Sequence, residues 1–411
     1  DISGGQISAE TDAGGTADRN ASIKLNGLTA LTVTDGLISS STSSGVAGDV
    51  IVNASQSTTL TGQFTDPEDG SITEGGIKAE ATGGGDAGSV TVTSDTLTVK
   101  EGAAIAVSSQ GVPVPDRGFA GDIEVNATTV DISGGQISAE TDAGGTAERS
   151  ASINLNGLTT LTVTNGLISS STTRGFAGDI TIDAAQSIDL TGILADIDND
   201  GEIDGGIIAK ASDGGSAGNI TLTTPILRAS DRAQITASSA DPDGVSTGTA
   251  GTILLTVPVI ELENSLVSTS NEEAPLSPDS NNDGIDDFGS IVFQNLETLT
   301  VTNTLVSSST ESGFAGSVLI NPAGALAQSI VLDGVADENG DGIYDRATER
   351  GGIVATATQG GTAGNIQVRV TDLDILNGAA IAVSSKGVPV PDRGFAGDIE
   401  VNATTVDISG G

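Results

Sequence analysis

The pattern G-x-A-G-x-[IV] occurs nine times along the chain, and this repetition constrains the fold more than any other feature. Three degenerate copies, at 15–23, 145–153 and 287–292, bring the total to twelve in 411 residues, or about one per 34 residues. Repeats of this length are typical of solenoids, in which each repeat packs only against its neighbours. The nine full copies begin at Gly45, Gly85, Gly118, Gly175, Gly215, Gly248, Gly313, Gly361 and Gly394.

A longer period overlies the short one, because Gly45 and Gly175 are 130 residues apart, as are Gly85 and Gly215. Four copies therefore make one super-repeat. The segment 111–135 also recurs without change at 387–411, and the sequence DISGG stands at both ends of the chain. We interpret the chain as a window from a longer tandem array that forms one continuous solenoid. The predicted super-repeats are 1–130, 131–260 and 261–406, and 407–411 starts the next.

Within each copy, apolar and polar residues alternate with a period of two, as in LTVTNG (161–166) and IKAEAT (77–82). Three short strands per copy, separated by Gly, Ser and Asp turns, describe one coil of a solenoid. Helix signals are nearly absent. The sequence therefore predicts an all-β fold, a right-handed parallel β-helix (β-solenoid) of about twelve coils of about 34 residues. With 7 Phe, 1 Tyr and no Trp, its core must be thin and built from Ala, Val, Ile and Leu.

Charge and composition exclude several classes of function. Lys and Arg total 15 against 55 Asp and Glu, a net charge of −40, and nucleic acid binding needs a basic surface. No run approaches the roughly 20 apolar residues of a membrane helix, so we expect no membrane insertion by this segment. Cys and His are absent, which excludes disulfides and removes the commonest general base. We therefore predict that the chain is not an enzyme.

Several short motifs carry a family resemblance. The sequences GFAGDI and GSAGNI, with GLISSST (36–42 and 166–172) and GAAIAVSS (102–109 and 378–385), resemble filamentous-haemagglutinin-type repeat exoproteins, and the cyanobacterial members are the closest match. The resemblance covers the whole chain. It implies a large fibre that is secreted or displayed on the cell surface, often exported by a two-partner system, so we expect an extracellular location.

Three acidic loops share the spacing D-x-[DN]-x-D-G-x-x-D. The alternation points oxygen ligands inward and Gly at position 6 permits the sharp turn, which is how EF-hand-type loops bind Ca²⁺. Position 7 would offer its backbone carbonyl. We therefore predict Ca²⁺ as the cofactor. The candidate ligands are Asp196, Asp198, Asp200, Glu202 and Asp204 in the first loop, Asp279, Asn281, Asp283, Ile285 and Asp287 in the second, and Asp337, Asn339, Asp341, Ile343 and Asp345 in the third.

Position 12 of these loops holds Ile207, Ser290 and Thr348 instead of the bidentate Glu of an EF-hand. The loops are therefore closer to the calcium loops of dockerin or thrombospondin repeats, with affinities of roughly 10⁻⁴ to 10⁻³ M. The alternative is a solvated acidic turn, since Asp, Asn and Gly are also ordinary turn residues. A related segment, DPEDG at 66–70, breaks the alternation and favours that alternative.

Three classes of function follow from these observations. The first is a structural fibre or adhesin stalk stiffened by Ca²⁺, whose partners are flanking repeats or further copies stacked end to end in a filament. The second is a β-helix that binds or cleaves polysaccharide, with paired carboxylates as acid and base. The third is an ice-binding surface made by the Thr pairs of LTVT at 31–34, 161–164 and 299–302. Those pairs recur once per super-repeat, so we expect no continuous Thr face.

Overall fold

The computed structural model is all-β, with strands and no helix in the residues that it describes. The all-β prediction is therefore confirmed. The chain divides into two compact units, Asp1–Ala185 with Gly192–Ala209 and Gln186–Thr191 with Lys210–Gly411. The described residues are 1–13, 20–67, 70–110, 118–143, 150–194, 205–240, 248–273, 289–335, 351–386 and 394–410.

The first unit is built from strands that alternate between a long form and a short form along the chain. In chain order they are β1 (Ile2–Ser3), β2 (Gln6–Ala13), β3 (Ile23–Thr34), β4 (Leu37–Ser44), β5 (Val50–Thr61), β6 (Gln63–Thr65), β7 (Ile72–Glu74), β8 (Gly76–Ala81), β9 (Val90–Lys100), β10 (Ala104–Ser109), β11 (Ile123–Ser133), β12 (Gln136–Ala143), β13 (Ile153–Thr164) and β14 (Leu167–Arg174). Two more strands contribute residues to both units: β15 (Ile180–Thr191) and β16 (Gly206–Ala211).

Apart from β6 and β7, these strands form two parallel sheets. In the long-strand sheet, β1, β3, β5, β9, β11 and β13 are neighbours in that order. In the short-strand sheet the order is β2, β4, β8, β10, β12 and β14. The chain therefore visits each sheet once per repeat and pairs each of these strands with its counterpart one repeat away. This parallel pairing between repeats is consistent with a β-solenoid.

Alternation along each strand decides which side chains enter the core. In β5 the burial pattern alternates at both ends of the strand, with Val50, Val52 and Leu60 fully buried. In the short-strand sheet the same residue type stacks from repeat to repeat. Six isoleucines are in register, and the five that follow Ile7 are fully buried, so each packs on the one before: Ile38, Ile77, Ile105, Ile137 and Ile168.

The second unit repeats this arrangement with more interruptions. Its strands are β17 (Ile220–Thr223), β18 (Ile226–Ser230), β19 (Gln234–Ser239), β20 (Ile253–Thr256), β21 (Val259–Glu263), β22 (Leu266–Glu273), β23 (Ile291–Gln294), β24 (Thr298–Thr302), β25 (Leu305–Ser312), β26 (Val318–Ile320), β27 (Ala327–Asp333), β28 (Gly351–Ala357), β29 (Ile366–Leu376), β30 (Ala379–Ser385) and β31 (Ile399–Ser409). All of its described strand pairings are parallel.

Proline explains two of those interruptions. Pro225 stands between β17 and β18, and Pro258 stands between β20 and β21, where the first unit has one unbroken long strand. Proline lacks the N–H that a central strand donates to its neighbour, so the ladder stops at that residue. The pairing then resumes in the same direction on both sides of the break, as in Ile253 with Ile220 and Val259 with Ile226.

The turn that leaves each long strand uses a left-handed backbone conformation. Asp35, Asn165, Asn303 and Asn377 adopt φ values of 48°, 46°, 47° and 50° there. Asn and Asp tolerate this region better than most side chains, which explains their place at the strand end. The backbone N–H of Asp35 donates to the carbonyl of Thr61 in the next repeat at 2.9 Å, so the turn is also part of the stack.

Candidate functional site

The fifteen candidate calcium ligands lie outside the described residues, in the segments 195–204, 274–288 and 336–350. The structure does describe the residues to which these segments are attached. The first lies between Leu194 and Gly205, the second between Glu273 and Gly289, and the third between Val335 and Gly351. Within the described ranges, no group of three or more acidic side chains is placed to hold a metal ion.

The residues at position 12 of two loops belong to the scaffold. Ile207 lies in β16 and is fully buried. Ser290 is also fully buried, and its hydroxyl accepts a hydrogen bond from the backbone N–H of Ser317 at 3.0 Å. Neither side chain is available to a cation, because one is in the core and the other is engaged between repeats. These two loops therefore end where the stacked scaffold begins.

Two of the loops follow equivalent glycines. Gly192 and Gly334 have φ values of 76° and 79°, and a Cβ on either would collide with the side chain of Asn165 or Asn303 in the preceding repeat. Gly62 occupies the same position one super-repeat before Gly192, and a Cβ there would meet the side chain of Asp35 in the same way. The segment that follows Gly62 is mostly described, so it shows what this corner of the scaffold can support.

That segment is the hairpin of β6 and β7, the one described antiparallel pairing in the first unit. Phe64 is buried, and Glu74 forms an ion pair with Lys78 of β8 at 3.2 Å. Gln136 of β12 also donates a hydrogen bond to Glu74. The hairpin is thereby fixed on the short-strand sheet. Asp66 begins its tip, where the N–H of Gly70 donates to the Asp66 carbonyl at 2.8 Å, in agreement with the prediction of a turn.

Glycine at the fourth motif position lets successive repeats approach closely. A Cβ at Gly121 would lie within 3.0 Å of the backbone of Gly88, and a Cβ at Gly88 would meet Gly48 in the same way. The added Cβ would contact backbone atoms, which cannot move aside as the end of a flexible side chain can. The motif glycine is therefore a requirement of stacking. The same contact recurs at Gly178, Gly251, Gly316, Gly364 and Gly397.

The residue after that glycine links one repeat to the next. The N–H of Ser89 donates to Oδ1 of Asp49 at 3.0 Å, and the N–H of Asp122 donates to the hydroxyl of Ser89 at 3.2 Å. The N–H of Ser152 then donates to Oδ1 of Asp122 at 2.9 Å. In the second unit, Asn219, Ser290, Ser317 and Asn365 accept in the same manner. This position needs an acceptor, which explains why Asp, Ser and Asn occur there.

Serine hydroxyls at the ends of short strands hold the same turn. The hydroxyl of Ser109 donates to the carbonyl of Gly85 at 2.8 Å, and that of Ser239 donates to Gly215 at 2.7 Å. The hydroxyl of Ser385 donates to Gly361 at 2.7 Å. The polar ends of GAAIAVSS and related motifs therefore satisfy buried backbone carbonyls. These serines could have been identified from the sequence, because each is a polar residue at a strand position where the alternation predicts an apolar one.

Three threonines line up across neighbouring strands of the first unit, but Asp131 interrupts the column, so no continuous Thr face forms, as expected. Thr32 of β3 pairs with Thr59 of β5, which pairs with Thr98 of β9. The next members of this outward column are Asp131 and Thr162. The stretches that carry Thr59 and Thr98 do not contain LTVT, so that motif does not identify them although their register is the same.

An ion-pair network lies on the long strands of the second unit. The guanidinium of Arg228 contacts Glu261 at 2.8 Å and Asp189 at 3.2 Å, one strand away on each side. The hydrogen bond to Glu261, followed by that to Asp189, raises the pKa of Arg228 above its ordinary value. All three side chains are substantially exposed, so the network contributes at most about 1 kcal/mol to stability. It offsets repulsion between two carboxylates in one column.

Comparisons with known proteins identify no relative. The chain matches no protein-family model, and the searches of curated proteins and of solved structures gave no match. No described residue belongs to a helix long and apolar enough to cross a membrane. The family resemblance therefore rests on the repeated motifs, whose structural roles in the turn and in stacking are described above.

Proposed function

We propose that the chain is a structural repeat segment of a large secreted or cell-surface fibre or adhesin, of the filamentous-haemagglutinin-like type. In this proposal it forms about twelve right-handed coils of about 34 residues. The observation that carries the proposal is the link from Asp49 through Ser89 and Asp122 to Ser152, in which three successive repeats each supply an acceptor to the next. A scaffold in which each repeat requires its neighbours suits a structural role, and further repeats or copies continue the stack.

We also propose that Ca²⁺ occupies the three Asp-rich loops and stiffens them. The support is the shared ligand spacing and the attachment of two loops to the scaffold at Ile207 and Ser290. A fixed loop end reduces the conformational entropy lost on binding, so a site with few ligands can still bind. The ions also offset part of the −40 net charge.

Thermal unfolding followed by circular dichroism tests the calcium proposal. The protein is melted with Ca²⁺, with a chelator, and with NaCl or Mg²⁺ at matched ionic strength. At a Ca²⁺ concentration ten times the dissociation constant, each site stabilises the folded chain by about 1.4 kcal/mol. We expect a higher melting temperature with Ca²⁺ than with the chelator, with NaCl or with Mg²⁺. Equal melting temperatures in all four conditions would contradict calcium binding.

A polysaccharide-binding role is the second candidate, and the column from Thr32 to Thr162 favours it. Hydroxyls and one carboxylate repeat along neighbouring strands of this face, and such groups form hydrogen bonds with sugar hydroxyls. Binding to immobilised polysaccharide, compared between the wild type and Thr59→Val, tests it. In the main proposal the chain is not an enzyme, which is supported by the absence of His and Cys. Turnover of an acidic polysaccharide would overturn that part.

A further inference from the structure

The long strands of the first unit differ in length at their middle. Opposite two residues of β9 (94–95), β5 has three (54–56), so its middle segment is one residue longer. β11 pairs with β9 without a shift of register. In β13 the longer form returns, with three residues (157–159) opposite two of β11 (127–128). Two strands with short middle segments therefore lie between two strands with long ones.

A notch of about 330 Å³ lies over the short middle segments of β9 and β11. Neighbouring strands in a sheet are about 4.8 Å apart, so the notch extends over about 14 Å between β5 and β13. Small-molecule sites have volumes of roughly 300–1,000 Å³, and this notch is at the lower end of that range. Its size therefore suits a small ring or a single unit of a polymer.

The bottom of the notch is buried and largely apolar. Ala54 and Ala127 line it and are 3% and 6% exposed. Ser94 is 5% exposed, and its hydroxyl donates to the carbonyl of Thr96 at 3.1 Å, so this hydroxyl is engaged within the chain. The two alanine methyl groups form a small apolar surface on which the C–H face of a ligand can pack.

Polar side chains surround this bottom. Thr93, Asp95 and Thr128 line the notch and are exposed, and Asn126 is half-buried. The Nδ2 atom of Asn126 donates to Oε1 of Glu124 at 3.0 Å, which orients the amide and leaves its Oδ1 atom as an acceptor. The threonine hydroxyls both donate and accept, whereas the carboxylate of Asp95 accepts only. This set complements a ligand that carries several hydroxyl groups.

Charge narrows the class of ligand. Among the described residues that line the notch there is no Lys or Arg, and Asp95 carries a negative charge. The whole chain has a net charge of −40. Sulfated sugars, uronic acids and phosphates are therefore repelled. A neutral sugar unit meets no such penalty, and it combines hydroxyl groups with a C–H face.

We propose that the notch binds one unit of a neutral polysaccharide. Asp95 and Asn126 accept hydrogen bonds from its hydroxyl groups, and its C–H face packs on Ala127. This inference rests on the polysaccharide-binding role given above as the second candidate, and it assigns to that role a ligand class and a site separate from the threonine column. Since the described lining offers no aromatic ring for stacking, we expect dissociation constants of roughly 10⁻³ M.

The corresponding strands 130 residues later supply a comparison. Their middle segments are equally short, with residues 224–225 opposite 257–258. Pro225 and Pro258 stand there in place of Asp95 and Thr128. Proline side chains form no hydrogen bonds, so the polar set of the notch is not shared by every short middle segment.

Saturation-transfer difference NMR detects weak binding of this kind, and a titration gives the dissociation constant. The probes are β-1,4-linked hexamers of glucose, of mannose and of galactose, with a hexamer of galacturonic acid as the charged comparison, all added to the 411-residue chain. We expect at least one neutral hexamer to bind at roughly 10⁻³ M and the acidic hexamer to bind about tenfold more weakly or less. Equal binding of the acidic hexamer would overturn the ligand class.

Variants of the lining residues identify the site. Asp95→Ala removes the charged acceptor and should weaken binding by about tenfold, whereas Asp95→Asn keeps an acceptor and should weaken it less. Thr93→Leu fills part of the notch and should weaken binding to a similar extent as Asp95→Ala. Thr223→Leu, at the equivalent exposed position 130 residues later, is the matched control and should bind as the wild type does. Because all these positions are exposed, the melting temperatures should stay unchanged, which circular dichroism checks.

The outcomes separate this inference from the role on which it rests. Loss of binding in Thr59→Val with full binding in Asp95→Ala would overturn the notch and support the threonine column. Equal binding by Thr93→Leu and Thr223→Leu would also overturn the site. If none of the three neutral hexamers binds, both the notch and the polysaccharide-binding role are wrong, while the structural proposal and its calcium test are unaffected.

Discussion

The carboxylate of Asp122 accepts a hydrogen bond from the backbone N–H of Ser152, 30 residues further along the chain, at 2.9 Å. The two residues occupy the same position in successive repeats. Asp122 itself donates its N–H to Ser89, so one residue is both donor and acceptor in a link that runs from repeat to repeat. Turn residues that look like ordinary solvent-exposed polar groups are therefore part of the stacking interface.

The first prediction concerns this link. Asp122→Ala removes the acceptor for the N–H of Ser152 and should lower the free energy of unfolding by about 1 kcal/mol, the usual net value of one hydrogen bond. Asp122→Asn keeps an acceptor and should recover most of the loss. Chemical denaturation of dilute protein measures both. Asp183→Ala, at an exposed position of β15, is the control, and a loss equal to that of Asp122→Ala would contradict the role of the link.

The second prediction concerns the close approach of repeats. Gly121→Ala places a Cβ within 3.0 Å of the backbone of Gly88, so the two repeats must separate. We expect a loss of about 1–3 kcal/mol, the range for overpacking in a closely packed interior. Gly5→Ala is the control, because a Cβ there meets its nearest atom at 3.7 Å. If the two variants unfold at the same denaturant concentration, the glycine is not needed for stacking.

The third prediction concerns the isoleucine column. Ile137→Ala should destabilise the chain by about 2–5 kcal/mol, because the side chain is fully buried between Ile105 and Ile168 and its loss leaves a cavity. Ile7 stands in the same local sequence, QISAE, but is half-buried and has Ile38 as its one described column neighbour. Ile7→Ala should therefore cost less than half as much in the same denaturation experiment.

Much of the fold could be predicted from the sequence because stacking repeats its constraints in every coil. The period of two and the motif glycines predicted parallel strands and close turns, and Gly88 and Gly121 lie where that prediction needs them. The split of the long strands at Pro225 and Pro258 was readable from the sequence, although it was not predicted. Proline in a central strand removes one hydrogen bond of the ladder, so a break in the strand is expected at that residue.

Register could not be predicted in the same way. Thr59 and Thr98 extend the column of Thr32, but only strand pairing shows this, because their local sequences differ from LTVT. The roles of Asp49 and Asp122 were missed for a related reason. An Asp in a glycine-rich turn has the same local sequence whether it faces solvent or accepts an N–H from the next repeat, and contacts between repeats decide which applies.

The last prediction concerns the number of calcium sites. Isothermal titration calorimetry or equilibrium dialysis of the wild type should give three sites with dissociation constants of roughly 10⁻⁴ to 10⁻³ M. Asp198→Ala, Asp283→Ala and Asp341→Ala each remove the position-3 or position-5 carboxylate of one loop, so each should remove one site. Since the loops share no ligand, the losses should add.

The segment at 66–70 provides the matched control for these variants. The backbone N–H of Asp66 donates to the carbonyl of Ser71, and its carbonyl accepts the N–H of Gly70. The segment also lacks the D-x-D-x-D alternation of the three loops. Asp66→Ala should therefore leave three calcium sites. Binding that falls equally with Asp66→Ala and with Asp198→Ala would show that Ca²⁺ responds to the overall −40 charge and not to the loops. In that case the added ion should also be displaced by NaCl at moderate concentration, because diffuse counterions are exchanged more readily than ligated ones.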